Sequence, residues 1–274
     1  MFYRRKLLLS LLEKVGKTTA QNVIQNLLFL ISQENPVYTF IPSEEGPLSL
    51  TLESDWDLFR KEPWQESDIE EKDAQLVRET VEAWQKEGEK LLLRVAEMYP
   101  YFTIKSSREF SKATEEKKRA LIKMIEAAPK GLYTVGYEGI TIEDFINKLI
   151  KNNIKRVIDV RGNPNSRKRE FAKNSLAASL ARVGIEYIGM KEIGVPNKIK
   201  REYLKAGRKE ELFQWYEENV LVNSKPLIKE INTLTKEVNT VLVCYEANPA
   251  DCHRSHLATF CKRELPALTV THLV

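Results

Sequence analysis

The segment Asn-Pro-Ala-Asp-Cys-His-Arg-Ser-His, residues 248–256, sets a thiol, two imidazoles and a guanidinium close together in the chain. Asp251 is of the N-cap type, which predicts Cys252, His253 and Arg254 in the first turn of a helix. Free backbone N–H groups at such an end favour an anion, and Arg254 can add a bidentate contact. The same setting lowers a thiol pKa and would make Cys252 a nucleophile. The competing reading is a small buried cysteine beside a His253 that packs or hydrogen-bonds.

Three carboxylates are candidates for acid–base work: Glu138, Asp159 and Glu246. Glu138 and Glu246 each closely follow an apolar run, whereas Asp159 lies two residues from Arg161 and could equally form a structural ion pair. Tyr137, Arg161, Ser166, Arg167, His253 and Arg254 make up a candidate anion- or nucleic-acid-binding set. Cys244, Cys252, His253 and His256 are ligand types that zinc accepts, but their spacing is wrong for a ribbon or finger and no paired cysteine knuckle occurs. No metal and no cofactor is therefore expected. The glycines of Gly-Tyr-Glu-Gly, residues 136–139, do not extend to G-x-G-x-x-G, and no G-x-x-x-x-G-K-S/T is present; this disfavours a nicotinamide cofactor and a nucleotidase loop.

These groups need strands and helices to position them. The runs GLYTVGY, RVIDV, IEYIGM, TVLVCYE and LTVTHLV read as strands. Helices are predicted between them: one from Ile142 with Thr141 and Asp144 at capping-box spacing, then Ser175–Val183, 199–222, Pro226–Lys236 and Ser255–Lys262. Strands alternating with helices predict a three-layer α/β domain with a mainly parallel sheet over 131–274. Ligands of such sheets collect beyond the carboxyl ends of the strands, where the polar residues named above gather.

Before the break at Pro129 and Gly131 the pattern is mostly helical. Helices are predicted over Leu8–Val15 and Thr18–Ile31, with Gly16 between them and Thr18 or Thr19 as cap. A strand over VYTFIP, a Gly-Pro turn and a further helix follow, an order that suggests a winged-helix-like domain over 1–128 with a helical extension. A loop at Trp64–Ile69 precedes helices at Asp73–Trp84, Gly88–Met98 and Thr114–Ala127. Trp56, Phe59, Trp64 and Trp84 could stack on bases, but core packing is the expected role.

The 274 residues carry a net charge of +4, with 42% hydrophobic and 30% charged side chains, a composition suited to a real core. The balance is uneven. Residues 1–130 hold 20 basic and 22 acidic groups, and residues 131–274 hold 23 and 17. Positive groups of this kind attract phosphate, although a solvated face is the alternative. No apolar run is long enough to span a bilayer, and the early LLLSLL is interrupted by Glu13, Lys14 and Lys17, which favours an amphipathic helix over a signal peptide. Three cysteines, an odd number, point away from a disulfide framework and toward a reducing, cytoplasmic setting.

The runs YTVGYEGITIEDFINKLIKNNIKRVIDVRGNPNSRK, GIEYIGMKEIG and VCYEANPADCHRSHLA resemble, in this order, the domain-of-unknown-function 488 family. The resemblance spans about 131–274. It implies a compact α/β domain and carries the family's polar positions onto Gly136, Tyr137, Asp159, Arg161, Pro164, Ser166, Gly194, Cys244, Glu246, Cys252, His253 and Arg254. The segment from Gly194 to Arg201 departs from the glycine-rich form of the family. Association with DNA repair or other nucleic-acid processing is implied as context, without a reaction. The N-terminal region looks more weakly like winged-helix regions joined to such domains.

The expectation is a nucleic-acid-associated protein with a phosphate- or nucleotide-binding pocket in its second half. Its partner would be DNA, RNA or a small anionic nucleotide, with no membrane involved. The alternatives are a hydrolase acting on a phosphate or N-glycosidic bond, and a non-catalytic nucleotide sensor or adaptor.

Overall fold

The computed structural model describes residues 1–16, 18–59 and 68–274. They form two compact units, Met1–Met124 and Ile125–Val274.

The first unit is helical: α1 (Tyr3–Val15), α2 (Gln21–Glu34), α3 (Leu50–Phe59), α4 (Glu71–Glu87), α5 (Glu89–Met98) and α6 (Lys112–Glu126), with a two-stranded antiparallel hairpin, β1 (Ile41–Ser43) and β2 (Gly46–Leu48), between α2 and α3. Leu8, Leu11 and Leu12 of α1 pack with Ile24, Leu27 and Ile31 of α2 and with Val77, Val81, Leu91 and Val95, so the apolar stripes of these helices make one core. Buried Asp55 is held by Arg4 Nε at 2.8 Å, Arg5 Nε at 2.6 Å and Tyr38 Oη at 3.1 Å. Neither threonine caps α2. Its N-cap is Ala20, and Thr19 Oγ1 instead donates to Val15 O at 2.7 Å. Gly46 and Pro47 belong to β2 rather than to a turn; the chain reverses at Glu44 and Glu45. Trp56 is buried, and Phe59 and Trp84 pack against the core, as the core reading expects. Trp64, with residues 64–67 of the predicted loop, lies outside the described residues.

The second unit has five strands: β3 (Leu132–Gly136), β4 (Arg156–Asp159), β5 (Glu186–Gly189), β6 (Thr240–Cys244) and β7 (Val270–Leu273). They lie in the order β5-β4-β6-β3-β7, and every neighbouring pair is parallel. Its helices are α7 (Ile142–Lys151), α8 (Lys173–Ala181), α9 (Asn197–Lys205), α10 (Lys209–Tyr216), α11 (Lys225–Glu237) and α12 (His253–Glu264). The single helix expected over 199–222 is divided between α9 and α10 at Gly207, whose φ of +70° glycine adopts without strain. Thr141 caps α7 as the spacing predicts, its side chain accepting from Asp144 N at 3.1 Å.

From β3 to β5 the chain steps one way across the sheet, and from β5 to β7 it steps back. Right-handed crossovers then place α7 and α8 on one face and the later helices on the other. Side-chain parity agrees. Leu132, Ile158 and Leu242 share a core with Ile228, Ile231, Leu257 and Cys261. Tyr137, of opposite parity, stacks on Phe171, which in turn meets Phe145 of α7 edge-on. β6 thus sits between two strands whose following segments leave toward the opposite face, which is where such sheets open a crevice.

Candidate functional site

Close backbone approach builds the carboxyl edge of the sheet. A Cβ on Gly136, at the end of β3, would lie 1.8 Å from Glu246 O in the loop after β6. Gly162 and Gly194 meet in the same way: a Cβ on Gly194 would lie 2.2 Å from Gly162 N. No side chain fits at either contact, so the loops following β3, β4, β5 and β6 crowd together here.

Residue 252, not 251, is the N-cap of α12. Asp251 ends a short 3-10 turn, Pro249–Asp251, and its exposed carboxylate is paired with Lys209 Nζ, which holds its pKa down, and with Asn248 Nδ2 at 3.1 Å. The one-residue shift follows from Asn248, whose side chain accepts from Ala250 N and makes the local turn first. His253 and Arg254 do lie in the first turn of α12.

Cys252, with 1% of its surface exposed, Cys244 at the end of β6 and His253 form a buried centre in which the two sulfurs and His253 Nδ1 all lie within 4.8 Å of one another. Nδ1 is 3.6 Å from Cys244 Sγ and 3.9 Å from Cys252 Sγ. Nε2 is 2.9 Å from Val160 O, an acceptor, so Nε2 carries the hydrogen. Tyr216 meets the imidazole edge-on and donates from Oη to Ile193 O at 2.7 Å, which fixes both rings. His256 is directed elsewhere: its Nδ1 lies 2.6 Å from Glu217 Oε1.

The two thiols are driven apart in acidity. The Cys244 pKa is pushed well up by its hydrogen bond with Cys252 and by burial. Burial acts upward on Cys252 as well, but the hydrogen bond from Cys244 and the charge of His253 outweigh it and bring this thiol down. For His253 burial favours the neutral ring, yet the neighbouring Cys252 raises its pKa. The centre therefore favours a thiolate at Cys252 beside a thiol at Cys244.

Glu246 closes the centre on one side. Cys244 Sγ is within 3.2 Å of its Oε2, and Lys200 Nζ of α9 donates to Oε1 at 2.6 Å. Burial alone would raise the Glu246 pKa, but the Lys200 charge dominates and holds it at about 2, while the carboxylate in turn raises the Lys200 pKa against the effect of burial.

The remaining predicted residues have other partners. Asp159 is buried and takes the bidentate grip of Arg161, Nε to Oδ1 at 2.8 Å with Nη2 on Oδ2, together with Tyr187 Oη at 2.7 Å. Arg161 also donates from Nη1 to Tyr137 Oη at 2.8 Å and to Phe171 O at 3.0 Å, and burial is outweighed by Asp159, which keeps the guanidinium charged. Tyr137 donates to Ser166 Oγ at 3.4 Å. Arg254, with none of its surface exposed, donates to Glu246 O, to Ala247 O at 2.9 Å and to Thr134 Oγ1 at 3.4 Å. Arg161 and Arg254 thus hold the domain's own groups. Glu138, exposed, accepts from Ala247 N at 3.0 Å, and Arg167 is exposed in the loop after β4. The three candidate carboxylates each have their own cation or amide partner.

Sequence reasoning missed two residues of the site. Lys200 belongs in the sequence to a basic group with Lys191, Lys198, Arg201, Lys205, Arg208 and Lys209, for which phosphate attraction and a solvated face are the alternatives, and nothing local marks it as the partner of Glu246. Tyr187 sits in β5 at a position whose only signal is an aromatic hydroxyl near a strand end.

Among the described residues no helix is long and apolar enough to cross a membrane. Cys244, Cys252 and Cys261 are unpaired and buried. No curated protein and no solved structure matches the chain significantly. Residues 141–261, from the N-cap of α7 into α12, match the family described as "Domain of unknown function DUF488".

Proposed function

We propose that the α/β domain binds the phosphate backbone of a nucleic acid at the crevice beyond β3, β4 and β6 and hydrolyses an N-glycosidic bond there, as part of DNA repair or other nucleic-acid processing. The observation that carries this reading is the Glu246–Lys200 pair above the thiol centre. A carboxylate held at about 2 stays ionised through neutral pH. It is a weak proton acceptor but a good stabiliser of positive charge developing on a sugar ring, so glycosidic cleavage suits it better than attack at an anionic phosphate. Exposed Arg167, Arg169, Lys198 and Arg201 supply cations for the backbone. The helical first unit, with its helix, helix, hairpin and helix order, would add a winged-helix-like contact to the same nucleic acid. Unpaired cysteines suit a reducing, cytoplasmic setting.

The test uses the full chain with labelled single- and double-stranded DNA and RNA, over a salt series and with modified-base substrates. Binding should weaken with salt, and Arg167→Ala should lower the slope by about one counterion. Glu246→Gln should keep binding and lose base release. Negligible binding to every nucleic acid at low salt rejects the reading. Binding without turnover assigns the domain instead to a nucleotide sensor or adaptor.

A further inference from the structure

We infer that Cys244 Sγ, Cys252 Sγ and His253 Nδ1 are ligands of a zinc ion. The spacing in the chain fits no ribbon or finger, but a ligand site built from a strand end and a helix start has no fixed sequence interval. The fold supplies what the spacing lacked. Zinc bonds of about 2.3 Å to sulfur and about 2.0–2.1 Å to nitrogen, in tetrahedral array, separate S and N ligand atoms by about 3.5 Å and two sulfurs by about 3.8 Å. The observed Nδ1–Sγ distances of 3.6 and 3.9 Å, with all three atoms inside 4.8 Å, need only small adjustments to reach that arrangement.

A second observation is independent of the spacing. Val160 O accepts from His253 Nε2 at 2.9 Å, which fixes the tautomer with the Nδ1 lone pair turned toward both sulfurs. A backbone carbonyl on the distal nitrogen is the usual orienting contact of a metal-bound histidine. The donor set is two thiolates and one imidazole, which selects zinc over the hard, oxygen-seeking magnesium and calcium. His256, bound to Glu217, is not a ligand. Glu246 Oε2 lies 3.2 Å from Cys244 Sγ, at the edge of the cluster. Binding releases to solvent whatever protons the two sulfurs and Nδ1 still carry, and leaves the oxidation state of both sulfurs unchanged.

This inference does not depend on the proposed hydrolysis, because metal content is read without turnover. The full chain, purified reduced and without chelator, should carry one zinc per molecule by elemental analysis. After chelator treatment, cobalt(II) added alone should produce a sulfur-to-cobalt charge-transfer band with the intense visible bands of a tetrahedral site. Cys244→Ser, Cys252→Ser and His253→Gln should each weaken zinc binding at least about tenfold, while Cys261→Ser should not. Where a ligand variant fails to fold, the wild-type cobalt spectrum decides alone. Reduced, folded wild-type protein that takes up neither zinc nor cobalt overturns the inference. So does a ready Cys244–Cys252 disulfide in protein that binds neither metal, which would assign the pair to thiol redox chemistry.

Discussion

The guanidinium of Arg254 lies against the main-chain carbonyl of Glu246, with a second nitrogen 2.9 Å from Ala247 O. The arginine thereby ties the first turn of α12 to the loop that presents the Glu246 carboxylate. Arg254→Ala would take this donor from the Glu246 and Ala247 carbonyls and leave a cavity where the buried guanidinium lay. A loss of at least about 3 kcal/mol is expected in urea unfolding. Arg254→Lys should restore only part of it, because one ammonium cannot reproduce the planar two-pronged contact. Full stability in the alanine variant would show that the side chain does not organise this loop.

Asp159 and Arg161 make a second buried device, with Tyr187 completing the carboxylate's bonds. Asp159→Asn keeps the shape and leaves the Arg161 charge uncompensated. Unfolding measurements should register about 3–5 kcal/mol, the usual cost of breaking a buried pair from one side. A change below 1 kcal/mol, on the order of a surface pair, would contradict the buried geometry.

Glu246 gives a pH signature whose sign is set by its depressed pKa. Its ordinary value of 4.5 falls to about 2 in the folded chain. The unfolded state therefore binds the proton first, and the stabilisation is complete above about pH 4.5 and is lost as pH falls toward 2. The stability difference between wild type and Glu246→Gln should be flat at neutral pH and shrink through that acid window. A difference that instead shrinks with rising pH would refute the assignment of the charge to the Lys200 contact.

At α7 the prediction is local. Thr141→Ala removes the acceptor for Asp144 N and should cost about 1 kcal/mol, with Thr141→Ser recovering most of it. Amide exchange at Asp144 should accelerate in the alanine variant and return toward the wild-type rate in the serine variant.

Much of the α/β domain was legible in the chain because its strands are short apolar runs with β-branched residues, and its helices carry apolar stripes and, at Thr141, a capping signal. Those are local free-energy preferences, and the parallel order of the sheet follows from the alternation. The second helix of the first unit shows the limit of such reading: threonine is a good cap in isolation, yet Thr19 bonds backward to Val15 and the helix starts two residues later.

The site divides the same way. Residue types alone determined which groups could do chemistry, because a thiol, an imidazole, a carboxylate and a guanidinium have fixed donors, charges and ligand preferences. Tertiary structure alone decided their roles. Arg254 and Arg161 were as plausible for phosphate as any exposed cation until burial turned them onto Glu246 O and Asp159. Cys244 and Cys252 are separated along the chain by a loop whose path depends on Gly136 lying under Glu246 O, a contact between strand end and loop that no sequence interval encodes. Charge and ligand chemistry belong to the residue, whereas desolvation and distance arise only when separate segments are packed together.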